Sequence, residues 1–87
     1  MHELSIAVSL VETVCEQLPQ LGCVRVRAVR IRVGSLSGVA PDALEFAFEV
    51  ASQDSAIAGA ALEIEKTHGT ELELAALEVL DDDAADC

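Results

Sequence analysis

Residues 23–33 read CVRVRAVRIRV, a stretch in which apolar and basic side chains alternate. Alternation with a period of two predicts a β-strand that has one buried face and one solvated face. The alternation changes phase at Ala28, which separates two sets of apolar positions: Val24 and Val26 before it, and Val29, Ile31 and Val33 after it. Because a shift of one residue swaps the two faces of a strand, we expect either a β-bulge near Ala28 or a strand that begins after it.

The chain from 61 onward contains two further stretches of alternating apolar and mostly acidic residues, 61–66 and 70–80. His68-Gly69 separates them, and a short glycine-containing connection predicts a β-hairpin. The last stretch also changes phase, which indicates a second bulge near Ala75-Ala76. If these strands neighbour the first, their glutamates can pair with its arginines; the residues concerned are Glu63, Glu65, Glu71 and Glu73, and Arg25, Arg27, Arg30 and Arg32. We favour such a solvated, paired face over an anion-binding site.

Two amphipathic helices are predicted. The first runs from Leu4 to Leu21, with Pro19 and Gly22 as stop signals and Cys15 as a small core residue on its apolar face. The second begins near Pro41, which suits a first helical position. Its apolar stripe comprises Leu44, Ala47, Phe48 and Ala51. Phe46 and Val50 are expected to widen that stripe, so that the second helix is well buried.

The predicted fold class is α/β (α+β), with two helices packed on one face of a three-stranded mixed sheet in the order α-β-α-β-β. The first two strands are expected to be parallel across a helical crossover, and the last two to form an antiparallel hairpin. Residues 1–80 are predicted to form a single domain. Residues 81–87, which are acidic, are predicted to be a disordered tail.

The composition argues against several function classes. The 87 residues include 16 acidic and 5 basic ones, for a net charge of −11, which disfavours binding to nucleic acid or to anionic membranes. Three cysteines form no CxxC pair, and the chain shows neither a signal peptide nor an apolar stretch of transmembrane length, so a cytoplasmic location is expected. No nucleophile–base pair or nucleotide loop indicates an enzyme.

The start of the chain is a candidate metal chelate. Met1 supplies a free amine, His2 an imidazole, and the backbone between them an amide nitrogen; the amide of Glu3 can add a fourth nitrogen, and its carboxylate a weak ligand or proton acceptor. Four nitrogens in a plane suit Ni(II) or Cu(II). Taken alone, a histidine at position 2 is more often a frayed terminal residue than a ligand.

The sequence closely resembles the HypA/HybF hydrogenase nickel-insertion proteins. The resemblance rests on five stretches in order: residues 1–7 (MHELSIA), 33–39 (VGSLSGV), 41–49 (PDALEFAFE), 59–65 (GAALEIE) and 71–79 (ELELAALEV). It implies a nickel metallochaperone that passes Ni(II) toward the large subunit of [NiFe] hydrogenase, together with the GTPase HypB. It also implies that His2 is the principal ligand, that Met1 and Glu3 complete the site, and that Asp42 lies near it.

One departure from the family concerns zinc. The family carries a zinc-binding module with two CxxC motifs between the last two strands, whereas residues 66–70 here read KTHGT. We therefore expect Ni(II) and no zinc, and we interpret His68 as a solvated turn residue, since structural zinc needs four ligands. The chain is either a natural member without the module or an engineered scaffold from which it was removed. A metal-free protein-interaction module is the alternative function, and a homodimer formed by strand exchange is possible.

Overall fold

The computed structural model describes residues 2–22 and 24–81. Its elements follow the predicted order and are α1 (Glu3–Leu21), β1 (Val24–Gly34), α2 (Pro41–Ser52), β2 (Ala61–Thr67) and β3 (Leu72–Asp81). Asp81 is the last residue of β3, and the rest of the predicted acidic tail lies outside the described residues. The α+β fold class with a mixed sheet is confirmed.

The sheet places β1 in the centre, in the order β2-β1-β3. Strand β1 pairs with β2 in parallel and with β3 antiparallel. The predicted parallel pairing of the first two strands is confirmed. The prediction that the last two strands form a hairpin was wrong, because β2 and β3 lie on opposite sides of β1. The glycine-containing connection between them is therefore a crossing over the end of β1.

Backbone contacts at the end of β1 hold this crossing in place. Gly34 donates its N–H to the carbonyl of Glu71 at 2.7 Å, Ser35 to Thr67 at 2.9 Å and Leu36 to Gly69 at 2.8 Å. The carbonyl oxygen of Gly69 passes so close to Gly34 that a Cβ atom there would lie 2.0 Å from it. Position 34 therefore has to be glycine for reasons of space.

Both predicted bulges are present in the β1–β3 ladder. The pairing shifts between Val26 and Ala28, so that Arg27 is the extra residue of β1. It shifts again between Arg30 and Ile31, where Ala75 is the extra residue of β3. Each bulge returns the apolar residues that follow it to the buried face of the sheet.

The opposite face of the sheet carries ion pairs between arginines of β1 and glutamates of β2 and β3, as predicted for Glu63, Glu65 and Glu73, together with a pair to Glu78 that was not predicted. The pairs are Arg27 Nη1–Glu78 Oε1 at 3.5 Å, Arg30 Nη2–Glu63 Oε1 at 2.9 Å, Arg32 Nε–Glu65 Oε2 at 2.7 Å and Arg32 Nη1–Glu73 Oε1 at 3.3 Å. Arg32 donates hydrogen bonds to Glu65 and Glu73, and these bonds raise the pKa of Arg32, with the larger contribution from Glu65. The interpretation of this face as solvated and charge-paired is confirmed, except that the Glu71 carboxylate lies beside Gly69.

The core lies between this sheet and the two helices. Its largest fully buried side chains are Phe48, Ile31, Leu44, Ile57, Val14 and Val29. The expectation that Phe46 and Val50 widen the buried stripe of α2 was wrong, since both side chains are exposed. Pro19 does not end α1, which continues to Leu21 and stops before Gly22. Cys15 packs against the core as predicted.

Candidate metal site at the helix N-termini

His2 and Glu3 lie at the start of α1. His2 occupies the N-cap position and is exposed, and its carbonyl accepts the N–H of Ile6 at 3.2 Å as the first bond of the helix. The first amides of a helix have no carbonyl partner within it. The amide nitrogen of Glu3 therefore stays outside the helical ladder, in the place where the sequence predicts a metal-binding nitrogen.

The Glu3 side chain connects α1 to α2. Its Oε2 accepts a hydrogen bond from the backbone N–H of Ala40 at 3.0 Å. Ala40 is the N-cap of α2, and its own carbonyl accepts the N–H of Leu44 at 3.0 Å. The Ala40 amide, followed by the amide of Glu3 itself, lowers the pKa of the Glu3 carboxyl from its ordinary value of 4.5. Glu3 is thus held as a carboxylate between two helix N-termini, which favour negative charge.

Ala40 is a member of this arrangement that the sequence analysis missed. The contact joins residues 37 positions apart in the chain, and no local pattern reports such a distance. A signal was nevertheless present. The third residue of α2 is Ala43, which cannot accept the N–H of Ala40 as a glutamate there would in a capping box, so an acceptor from another element was to be expected.

The other candidate residues are placed as follows. Asp42 lies in the first turn of α2 and is exposed, two residues after Ala40. His68 is an exposed bend residue, as predicted. Met1 lies outside the described residues, so its part in the chelate stays a prediction.

A side-chain metal centre is not found in the part of the chain that the structure describes. Among residues 2–22 and 24–81, no group of three or more His, Cys, Asp or Glu side chains is arranged to hold a metal ion. The donors of the terminal chelate that the sequence predicts are mostly backbone nitrogens, and that chelate stays a prediction.

A family model described as "Hydrogenase/urease nickel incorporation, metallochaperone, hypA" matches residues 1–79. The chain belongs to the HypA family. It is 54% identical over 66 residues to hydrogenase maturation factor HypA of Roseiflexus sp. (strain RS-1), which is 76% of this chain and 54% of that protein. The corresponding protein of Geobacter metallireducens is 49% identical over 69 residues, or 79% of this chain and 60% of the relative. The protein of Rhizobium leguminosarum bv. viciae is 45% identical over 69 residues, which is 79% of this chain and 61% of the relative.

The chain thus spans between 54% and 61% of the length of these curated relatives. A solved structure, the solution structure of the Ni metallochaperone HypA from Helicobacter pylori, matches with a TM-score of 0.76 at 21% identity and covers 94% of this chain and 100% of that one. At this identity the match confirms the fold alone. The family description names a metallochaperone and no catalyst, which agrees with the prediction of a non-enzyme. None of the described helices is long and apolar enough to cross a membrane.

Proposed function

We propose that this chain binds Ni(II) as a cargo at its N-terminus and delivers it for the maturation of [NiFe] hydrogenase. Membership of the HypA family supports nickel handling in hydrogenase maturation. The observation that carries the proposal is the hydrogen bond of Glu3 Oε2 to the Ala40 amide at 3.0 Å. It fastens the start of α1 to the start of α2 while His2 stays exposed.

The ligands in this proposal are the Met1 amine, the His2 imidazole and the amide nitrogens of His2 and Glu3. Because one carboxylate oxygen of Glu3 is held by Ala40, its side chain acts mainly by orienting the chelate, with its second oxygen as a weak additional donor. Ni(II) suits such nitrogen-rich sites. An exposed site of this kind lets an acceptor protein approach the metal directly, which a carrier requires.

Binding through amide nitrogens requires those nitrogens to lose their protons. Nickel uptake is therefore accompanied by proton release, and affinity falls as pH falls. Acid or an acceptor that supplies its own ligands would then unload the metal. Delivery is proposed to involve a HypB-type GTPase and the hydrogenase large subunit, partners that the family resemblance implies, in the cytoplasm.

A matched pair of histidine variants tests the proposal. The untagged chain is expected to bind one Ni(II) with a yellow, square-planar absorption band, and His2→Ala is expected to abolish that band. His68→Ala removes the other histidine, which is also exposed, and should leave the titration unchanged. If His2→Ala binds nickel as the wild type does, the chain has no N-terminal nickel site. A metal-free interaction module would then be the better account, and docking to the large subunit under chelator would test it.

A further inference from the structure

Large apolar side chains on both helices face solvent. Leu4 and Val8 on α1 are 56% and 40% exposed, and Phe46 and Val50 on α2 are 70% and 45% exposed. The members of each pair are four positions apart, so they are neighbours on one face of a helix. We call these four residues the helix-pair surface.

The helix-pair surface follows the seam between α1 and α2. The two helices pack against each other, and the Glu3–Ala40 hydrogen bond joins their N-terminal ends. On α2, the flank that carries Glu45 and Glu49 lines a groove toward the start of β2.

The flank of α1 that faces away from α2 is identified by the residues that line a second depression. Ile6 and Leu10 line a depression that is shared with Leu72 of β3. Successive residues of an α-helix are rotated by 100° about its axis. Leu4 and Val8 therefore lie on the flank of α1 opposite to Ile6 and Leu10, and Val50 lies on the flank of α2 opposite to Glu45 and Glu49. Phe46 lies at the crest of α2, the side of that helix that points away from the core. The apolar side chains of the helix-pair surface therefore lie along the seam between the helices and on the adjoining crest of α2.

Charge is segregated between the two sides of the molecule. The helices carry only acidic ionisable residues apart from Cys15: Glu3, Glu12 and Glu16 on α1, and Asp42, Glu45 and Glu49 on α2. The five basic residues of the chain all lie on β1 and β2: Arg25, Arg27, Arg30, Arg32 and Lys66. Arginines of β1 pair with glutamates of the same sheet. The helix-pair surface is thus apolar and bordered by acidic residues, since Glu12 lies one turn after Val8 and Glu49 one turn after Phe46.

We propose that the helix-pair surface binds a basic amphipathic helix of a partner protein. The apolar side chains of that helix would pack on Phe46 and Val50, and its lysines and arginines would lie beside acidic residues such as Glu12 and Glu49. A groove between two helices accepts a third helix through apolar residues spaced three and four apart. This inference does not depend on nickel binding.

Charge complementarity selects this occupant over the two others that an apolar face admits. A second copy of the chain would bring six acidic residues of each helix pair toward six like charges, which opposes association. An anionic membrane is repelled for the same reason. A cationic helix is attracted, and long-range attraction also raises its association rate.

Synthetic peptides test the proposal on the full chain. The probe is an 18-residue, fluorescently labelled peptide of leucine and lysine, with leucines at helical spacing. Two control peptides are a scrambled sequence of the same composition and a leucine–glutamate counterpart. Fluorescence anisotropy is expected to show saturable binding of the amphipathic basic peptide, at least about tenfold tighter than the scrambled one, and no binding of the acidic one. Equal binding of the two basic peptides would overturn the proposal, because charge alone would explain it.

Matched variants locate the binding surface. Phe46→Ala is expected to weaken binding about tenfold or more, whereas Leu36→Ala, which removes an apolar side chain that is also 70% exposed but lies in the loop after β1, should have no effect. Glu49→Gln should weaken the binding of the basic peptide and reduce the salt dependence of that binding. Glu65→Gln, which lies on the sheet, should have a smaller effect on both. Circular dichroism confirms that each variant is folded. Equal effects of the substitutions at positions 46 and 36 would contradict this location of the binding surface. The proposal would also be contradicted if the chain associated with itself, or bound zwitterionic vesicles, and Phe46→Ala abolished that association or binding.

Discussion

Gly34→Ala tests the crossing of β1 by the chain between β2 and β3. A Cβ atom at position 34 would lie 2.0 Å from the carbonyl oxygen of Gly69, 2.4 Å from its carbonyl carbon and 2.8 Å from the amide nitrogen of Glu71. All three are backbone atoms, so no side-chain rotation relieves the contact. Real Cβ atoms essentially never approach closer than 3.0 Å, and the crossing must therefore move away by about 1 Å.

The cost follows from the hydrogen bonds that this movement breaks. The three bonds from Gly34, Ser35 and Leu36 to the crossing are 2.7, 2.9 and 2.8 Å long. Lengthening by about 1 Å takes each beyond hydrogen-bonding distance. With a net contribution of about 1 kcal/mol per bond, Gly34→Ala is expected to lower the free energy of unfolding by about 2–4 kcal/mol. For a domain of this size, that corresponds to a fall in Tm of about 8–32 °C.

Urea unfolding and amide hydrogen exchange measure this effect. Exchange at Ser35 and Leu36 should accelerate, because their acceptors have moved. Gly59→Ala is the control: its φ is +89°, but no atom lies within 4 Å of the added Cβ, so it carries only the backbone penalty of about 1–2 kcal/mol. A loss below about 0.5 kcal/mol in Gly34→Ala would refute the close crossing and the strand order that depends on it.

Three further predictions concern the core, the Glu3 carboxylate and the sheet face. Phe48→Ala should lower the free energy of unfolding by about 3–5 kcal/mol, whereas Phe46→Ala should change it by about 0.5 kcal/mol or less; similar losses in urea unfolding would contradict the burial of one and the exposure of the other. The pKa of Glu3 is lowered on folding, so its stabilising contribution is present above the ordinary value of 4.5 and is lost as pH falls through the folded value. The excess stability of wild type over Glu3→Gln should therefore be present at pH 7 and decrease as the pH falls below 4.5, and a pH-independent difference would count against the interaction. Arg30→Gln, which breaks the exposed pair with Glu63, should cost about 0.5 kcal/mol or less at low salt and nothing measurable in 1 M NaCl; a large, salt-independent loss would disagree with its exposure.

The sheet shows what local sequence patterns can and cannot predict. The phase changes at Ala28 and near Ala75 correctly placed both bulges, because a bulge alters which residues share a face, and that is visible in the sequence. The pairing of β2 with β3 was wrongly predicted, since the glycine at position 69 was interpreted as a turn signal. Its actual place is against Gly34, 35 residues away in sequence, and single-sequence patterns do not report contacts over that distance.

The helix surface and the candidate site were predicted in part for similar reasons. Phe46 was assigned to a buried stripe because hydrophobicity alone does not distinguish a core residue from an exposed one. His2 and Glu3 were identified from their position and chemistry, and the structure adds that Glu3 contacts the amide of Ala40. That contact depends on how α1 and α2 pack, which neither helix encodes by itself.

Nickel titration of two forms of the chain tests the proposed metal site most directly. One form begins with the free amine of Met1, and the other carries a single glycine before it, which leaves the His2 side chain and the Glu3–Ala40 contact unchanged. We predict that the native form binds one Ni(II) with a square-planar absorption band and releases protons, and that the extended form loses the band. Equal nickel affinity and the same band in both forms would contradict binding through the terminal amine, and with it the proposed nickel carrier site.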